Sequence, residues 1–128
     1  MTGSICLIDD DELFRRNLAE QLRALGRTVE EACDAERGLR LLESRTFEAS
    51  VVDVLMPDID GIELIARIRS RWPDMRLIAI SGGGRLSAAL CIDLARLTGA
   101  DDCIRKPLNA HDILARMPGG SANTSVQA

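Results

Sequence analysis

Five short strand-like segments alternate with five helical patterns along this chain, and that alternation limits the fold more than any other feature. Residues 5–8, 28–32, 49–52, 76–80 and 102–105 read as strands, being short, apolar or β-branched, and bounded by turn residues. After the first, Phe14, Leu18, Leu22 and Leu25 recur at helical spacing and stop at Gly26. Asp34 stands where a cap belongs for a second helix through Leu39, Leu41 and Leu42. Gly38 inside that helix costs ~1 kcal/mol relative to alanine. Asp60 and Glu63 have capping-box spacing ahead of a stripe of Ile62, Ile65 and Ile68, and Pro73 ends that third helix. Leu86, Leu90, Leu94 and Leu97 mark a fourth, closed by Gly99. Asn109 with Asp112 opens a short fifth, stopped by Pro118-Gly119-Gly120. Strict strand–helix alternation calls for a parallel sheet with helices on both faces. The half-polar segment 28–32 suits a position near the edge.

With 128 residues, the chain suits one domain with one core. Residues 119–128 are rich in Gly, Ser, Asn and Thr, so the domain is expected to span 1–118 and the rest to be a disordered tail. A net charge of −4 argues against a nucleic-acid surface. The one basic concentration, Arg67, Arg69, Arg71 and Arg76, reads as a solvated face. Phe14, Phe47 and Trp72 are the only aromatics, too few for a base-stacking platform. No apolar stretch has the length of a membrane span. The N-terminus lacks a basic region and reaches Asp9 too soon for a signal peptide, so a cytoplasmic location is expected. Cys6, Cys33, Cys91 and Cys103 form no Cys-x-x-Cys pair and read as small buried hydrophobes. His111, the single histidine, reads as a surface residue.

The chemistry lies just after the strands. Asp9, Asp10 and Asp11 follow the first, Asp53 the third, Ser81 the fourth, and Lys106-Pro107 the fifth. In a parallel sheet those positions share the carboxyl edge, where open α/β sheets build their sites. Taken alone, Asp53 in Val51-Val52-Asp53 would ordinarily only start a turn. Its neighbours change that reading. Three convergent carboxylates repel, and a hard divalent cation such as Mg²⁺ removes the conflict through oxygen ligands. Lys106 adds a compact positive charge and Ser81 a hydroxyl donor. Together they form a receptor for a phosphoryl group, with Asp53 as the nucleophile that would carry it as an acyl phosphate.

From about residue 5 to residue 117 the sequence resembles the receiver domains of bacterial two-component response regulators. The matching stretches are Asp9-Asp10, Asp53-x-x-Met56-Pro57-x-x-Asp60-Gly61, Ser81-Gly82, and Lys106-Pro107 after Gly99-Ala100-Asp101-Asp102. The resemblance implies a flavodoxin-like, doubly wound five-stranded parallel sheet, strand order 2-1-3-4-5, with five helices in three layers. It implies that Asp53 accepts a phosphoryl group from a phosphohistidine of a sensor histidine kinase or a histidine phosphotransfer protein. It makes Asp10 a direct Mg²⁺ ligand, Asp9 a ligand partly through water, and the Leu55 backbone carbonyl a further one. Ser81 and Lys106 would contact the phosphoryl oxygens, and the Lys106–Pro107 bond would be cis. Asp11 reads as a solvated neighbour and a helix-terminal charge.

Three departures from the family pattern stand out. The fifth strand, Cys103-Ile104-Arg105, lacks the family's Tyr or Phe, so its switch must work differently, and Cys103 offers a place for local repacking. Gly82, Gly83 and Gly84 make the loop after Ser81 glycine-rich. The fifth helix is short and no effector domain follows, which suggests a stand-alone receiver acting on a separate, unknown protein partner. Two alternatives stay open. One is a receiver-fold interaction module that does not use phosphorylation. The other is a Mg²⁺-dependent phosphohydrolase, which would need a general acid/base two residues after the nucleophile, where Leu55 stands.

Overall fold

The computed structural model describes residues 4–54, 61–82, 93 and 95–117. Their elements run β1 (Ser4–Ile8), α1 (Glu12–Ala24), β2 (Thr28–Ala32), α2 (Ala35–Ser44), β3 (Ala49–Asp53), α3 (Gly61–Arg71), β4 (Arg76–Ser81), β5 (Asp102–Arg105) and α5 (Ala110–Leu114). Residue 93 and residues 95–98, helical and between β4 and β5, are the described part of α4. All strand pairs are parallel, in the order β2-β1-β3-β4-β5. This is the expected doubly wound sheet with five helices, and the half-polar β2 is an edge.

Side chains alternate between the two faces of a strand, so one sheet builds two cores. Ile5, Leu7, Val51, Ile78 and Ile80 pack against Leu18, Leu22, Ile113 and Met117 from α1, α5 and the turn after α5. Cys6, Ile8, Val52, Leu77 and Ala79 pack against Leu42, Leu64, Ile65, Ile68 and Ala95 from α2, α3 and α4. Every residue of β1 and β3 is buried, as central strands covered on both faces must be.

Caps fix where the helices begin. Asp11 accepts from Phe14 N at 3.1 Å, Asp34 from Arg37 N at 2.8 Å, and Asn109 from Asp112 N at 3.1 Å. Asp112 returns a bond to Asn109 N at 2.9 Å, completing the expected capping box. Asp60, the expected cap of α3, lies outside the described residues. Two glycines hold their helices close to the sheet. A Cβ on Gly61 would lie 2.3 Å from Val54 Cα, and one on Gly38 2.4 Å from Ile8 Cδ1. Gly38 is thus not merely a weak point in α2; it lets that helix lie against β1.

Two expectations are corrected. Leu97 is 85% exposed, whereas Ala95 meets the core; Leu86, Leu90 and Leu94 lie outside the described residues. The basic run is not a uniformly solvated face. Arg67 pairs with Glu63 on the α3 surface. Arg69, in contrast, donates to Gly99 O, Pro73 O and Met75 O at 2.8 Å each and pairs with Asp101 at 2.8 Å. Asp101 also accepts from Leu77 N at 2.8 Å. One guanidinium therefore joins the end of α3, the end of α4 and the start of β4, using the fork that arginine alone presents. Of the cysteines, Cys6 is buried while Cys33 and Cys103 are half-buried, and Cys91 lies outside the described residues. His111 is exposed.

Candidate functional site

Strand register brings the acids together. Ile8 is opposite Val52, so Asp9 leaves β1 beside Asp53, the last residue of β3. Asp53 is opposite Ile80, and Ser81 is opposite Arg105, so Ser81 and Lys106 come one step further along the same edge. Both Asp53 and Ser81 end their strands, one residue inside the expected positions. The Lys106–Pro107 peptide is cis, as the resemblance implied.

The β1–α1 turn holds its acids in different environments. Asp9 is fully buried, accepts from Asp11 N at 2.9 Å through Oδ1, and has its carbonyl held by Arg15 at 3.0 Å. Asp10 is exposed and Asp11 caps α1, which accounts for Asp11 as a helix-terminal charge. Asp53 is 4% exposed. One carboxylate oxygen from each of Asp9, Asp10 and Asp53 lies within 4.8 Å of the other two.

Lys106 closes the cluster. Its Nζ is 3.0 Å from Asp9 Oδ2, 3.6 Å from Asp53 Oδ2 and 4.1 Å from the centroid of the Phe14 ring. Asp9 Oδ2 is at ion-pair distance from the ammonium. Burial alone would lower the Lys106 pKa. Close contact with Asp9 and the charges of Asp53, Asp9 and Asp11 outweigh that and raise it above its ordinary value.

A divalent cation fits this arrangement. Three carboxylates face one ammonium, leaving an excess of two negative charges if all are ionised. Every side-chain donor in the cluster is a hard oxygen, as Mg²⁺ and Ca²⁺ prefer. The buried Ser81 Oγ has no hydrogen-bond partner among the described residues, while Asp9 Oδ2 faces only the Lys106 ammonium at 3.0 Å. Such buried polar atoms ordinarily find partners, so a cation or an anionic oxygen has a place here.

The structure thus brings together Asp9, Asp10, Asp53 and Lys106, with Ser81 on the adjoining strand end. Gly82 lies along the lysine stem, where an added Cβ would sit 3.5 Å from Lys106 Cδ. Cys103 is half-buried in β5, opposite Ala79, and packs on the α2–α3 side of the sheet. Leu55 and Gly83 lie outside the described residues. Phe14 and Arg15 are neighbours of the site that the motifs do not reveal. Phe14 reads from sequence only as one member of an apolar stripe. Arg15 pairs with Glu31 at 3.0 Å, and nothing in the sequence signals that contact.

Known proteins share both the sequence and the fold. The acid tolerance regulatory protein ActR of Rhizobium meliloti is 35% identical over 114 residues, which cover 89% of this chain and 57% of that protein. The chain spans about half the length of the curated relatives it matches, from 49% to 57% in the cases of MprA from Mycobacterium ulcerans and ActR. A CheY-like response regulator receiver domain protein from Methanospirillum hungatei superposes with a TM-score of 0.82 over 100% of both chains at 26% identity. A Burkholderia pseudomallei response regulator, solved with a phosphorylated aspartic acid, calcium ion and citrate, gives a TM-score of 0.82 at 30% identity. That match covers 98% of this chain and 72% of the other. The model of the response regulator receiver domain matches residues 5–118, and with the sheet order and strand-end acids already in place, the chain belongs to that family.

Proposed function

We propose that this receiver domain takes a phosphoryl group onto Asp53 from a phosphohistidine of a sensor histidine kinase or histidine phosphotransfer protein. It then acts as a signalling switch or relay intermediate for a separate protein partner. The observation that carries this reading is the buried Asp53 carboxylate, grouped with Asp9 and Asp10 within 4.8 Å and with Lys106 at 3.6 Å.

An Asp53 oxygen attacks phosphorus in line with the bond to the donor imidazole. The new P–O bond forms as the P–N bond breaks, and its electron pair leaves with the ring nitrogen. Lys106 meets the negative charge of the phosphoryl oxygens, and Ser81 Oγ donates a hydrogen bond to one of them. Asp9 and Asp10, with Asp53 and the Leu55 carbonyl, would hold Mg²⁺. When bound, the cation supplies charge neutralisation at carboxylate and phosphoryl oxygens. The phosphorylated aspartic acid and calcium ion of the Burkholderia relative support this assignment.

The proposed domain spans residues 1–118, followed by a tail of 119–128, and works in the cytoplasm. Among the described residues no helix is long and apolar enough to cross a membrane. The role is that of a signalling phosphoacceptor rather than of an enzyme acting on other substrates. Leu55, two places after the nucleophile, offers no acid or base for turnover.

Treatment with acetyl phosphate and Mg²⁺, followed by intact mass, tests this. The wild type gains one phosphoryl group and Asp53→Asn gains none. Wild type that stays unlabelled beside a working receiver control removes the reading, and labelling of Asp53→Asn moves the site. One observation favours a phosphorylation-independent interaction module: the small Cys103 in β5, where the family carries an aromatic. Partner capture from native cells that is equal for wild type and Asp53→Asn would select that module.

A further inference from the structure

Phe14 lies in the first turn of α1, and Lys106 on the far side of the sheet's carboxyl edge, after β5. Yet the ammonium is 4.1 Å from the ring centroid, well inside the range of a cation–π contact. Both ends of the contact are anchored. The Asp11 cap binds Phe14 N, and the ring packs on the α1–α5 core. Lys106 N donates to Ser81 O at 2.7 Å, which fixes the root of the lysine. Only 17% of the lysine side chain is exposed.

We propose that Phe14 is a positioning residue: its ring face seats the Lys106 ammonium so that it stays within reach of Asp53 while Asp9 engages a cation. The inference rests on the phosphoacceptor reading and adds a residue to it. A lysine stem has many rotamers, so an ammonium held by Asp9 alone would be released when that carboxylate turned to a cation. A carboxylate at position 14 would retain the lysine but trap it, competing with the phosphoryl oxygens. The ring attracts the charge through its quadrupole and presents no anionic oxygen. Lys106 can therefore turn its N–H donors toward an incoming phosphoryl group without leaving its seat.

The test uses Phe14→Leu, which keeps an apolar side chain but removes the ring, and Phe14→Tyr, which keeps the ring. Urea unfolding checks that both fold. In proton–carbon NMR spectra the Lys106 ε-methylene is shifted upfield by the ring current in wild type and Phe14→Tyr, and loses that shift in Phe14→Leu. Phosphoryl uptake from acetyl phosphate with Mg²⁺ slows roughly three- to tenfold in Phe14→Leu, the scale of a partly buried cation–π contact, and is restored in Phe14→Tyr. Wild-type-rate labelling of a folded Phe14→Leu overturns the proposal, as does Phe14→Tyr labelling as slowly as Phe14→Leu. Should wild type not label at all, the phosphoacceptor reading falls separately. The ring-current shift then decides whether Phe14 seats the lysine.

Discussion

Gly61 carries a sharp energetic expectation. In Gly61→Ala the new methyl carbon falls 2.3 Å from Val54 Cα and 2.6 Å from both Asp53 O and Val54 C. All three are backbone atoms where β3 ends, and none can rotate away. Overpacking of this kind costs about 1–3 kcal/mol, occasionally more. Alanine returns at most ~1 kcal/mol of helix propensity, and less in a first turn. The net expectation is a loss of about 2 kcal/mol. Gly38→Ala is the internal control. Its methyl meets Ile8 Cδ1 at 2.4 Å and Cγ1 at 2.8 Å, side-chain atoms that can shift by a small torsion. At mid-helix it also gains the full propensity difference of ~1 kcal/mol, so its net loss should be the smaller of the two. Urea unfolding followed by far-ultraviolet circular dichroism resolves the two. With a slope of about 2 kcal/mol per molar, Gly61→Ala lowers the midpoint by roughly 1 M and Gly38→Ala by less than half that. Because the clash includes the Asp53 carbonyl, Gly61→Ala should also slow phosphoryl uptake. A Gly61→Ala midpoint equal to wild type, or a larger loss in Gly38→Ala, would refute the rigid-backbone argument.

Three further expectations follow from individual side chains. Arg69→Lys keeps the charge but loses the fork that joins Gly99, Pro73, Met75 and Asp101. It should cost about 1–3 kcal/mol, seen as a Tm lower by roughly 5 °C or more, while Arg67→Lys melts like wild type. Lys106→Met removes the ammonium 3.0 Å from Asp9, so calorimetry should show divalent cations binding several-fold more tightly even as phosphoryl uptake falls. Weaker cation binding in that variant would contradict the proposed site. Burial, with Glu30 beside it, pushes the Cys6 thiol up to about 12 from an ordinary 9.0. The unfolded chain releases that proton first, so Cys6 adds stability in full below pH 9.0 and loses it as pH rises toward about 12. Iodoacetamide should spare Cys6 in the native state while reaching Cys33 and Cys103. Stability should also fall more steeply above pH 9.0 in wild type than in Cys6→Val.

The fold was largely legible because its signals are local. Asp34, Asn109 and Asp112 announce their caps, and residues 28–32 and 102–105 form strands at the bounds read from sequence. The site was legible for a different reason. Asp9, Asp53, Ser81 and Lys106 sit at successive strand ends, and parallel pairing converts that order into proximity. What escaped depends on long-range geometry. Leu97 falls on the periodic leucine stripe, but periodicity does not fix how the end of a helix meets its sheet, and of the described α4 residues Ala95 is buried while Leu97 is exposed. Arg69 binds four backbone carbonyls, which carry no side-chain signature. Phe14 meets Lys106 across ninety-two positions of chain, a contact set by how α1 crosses the sheet.

The Arg69 network also has a mechanical consequence. Gly99, with its positive φ of 138°, terminates α4; its carbonyl is held by Arg69, and Asp101 just beyond is tied to β4. The helix is pinned at that end like a boom at its mast. A displacement of the described α4 residues must therefore act as a lever about Gly99, with less travel at Leu97 than at Asp93.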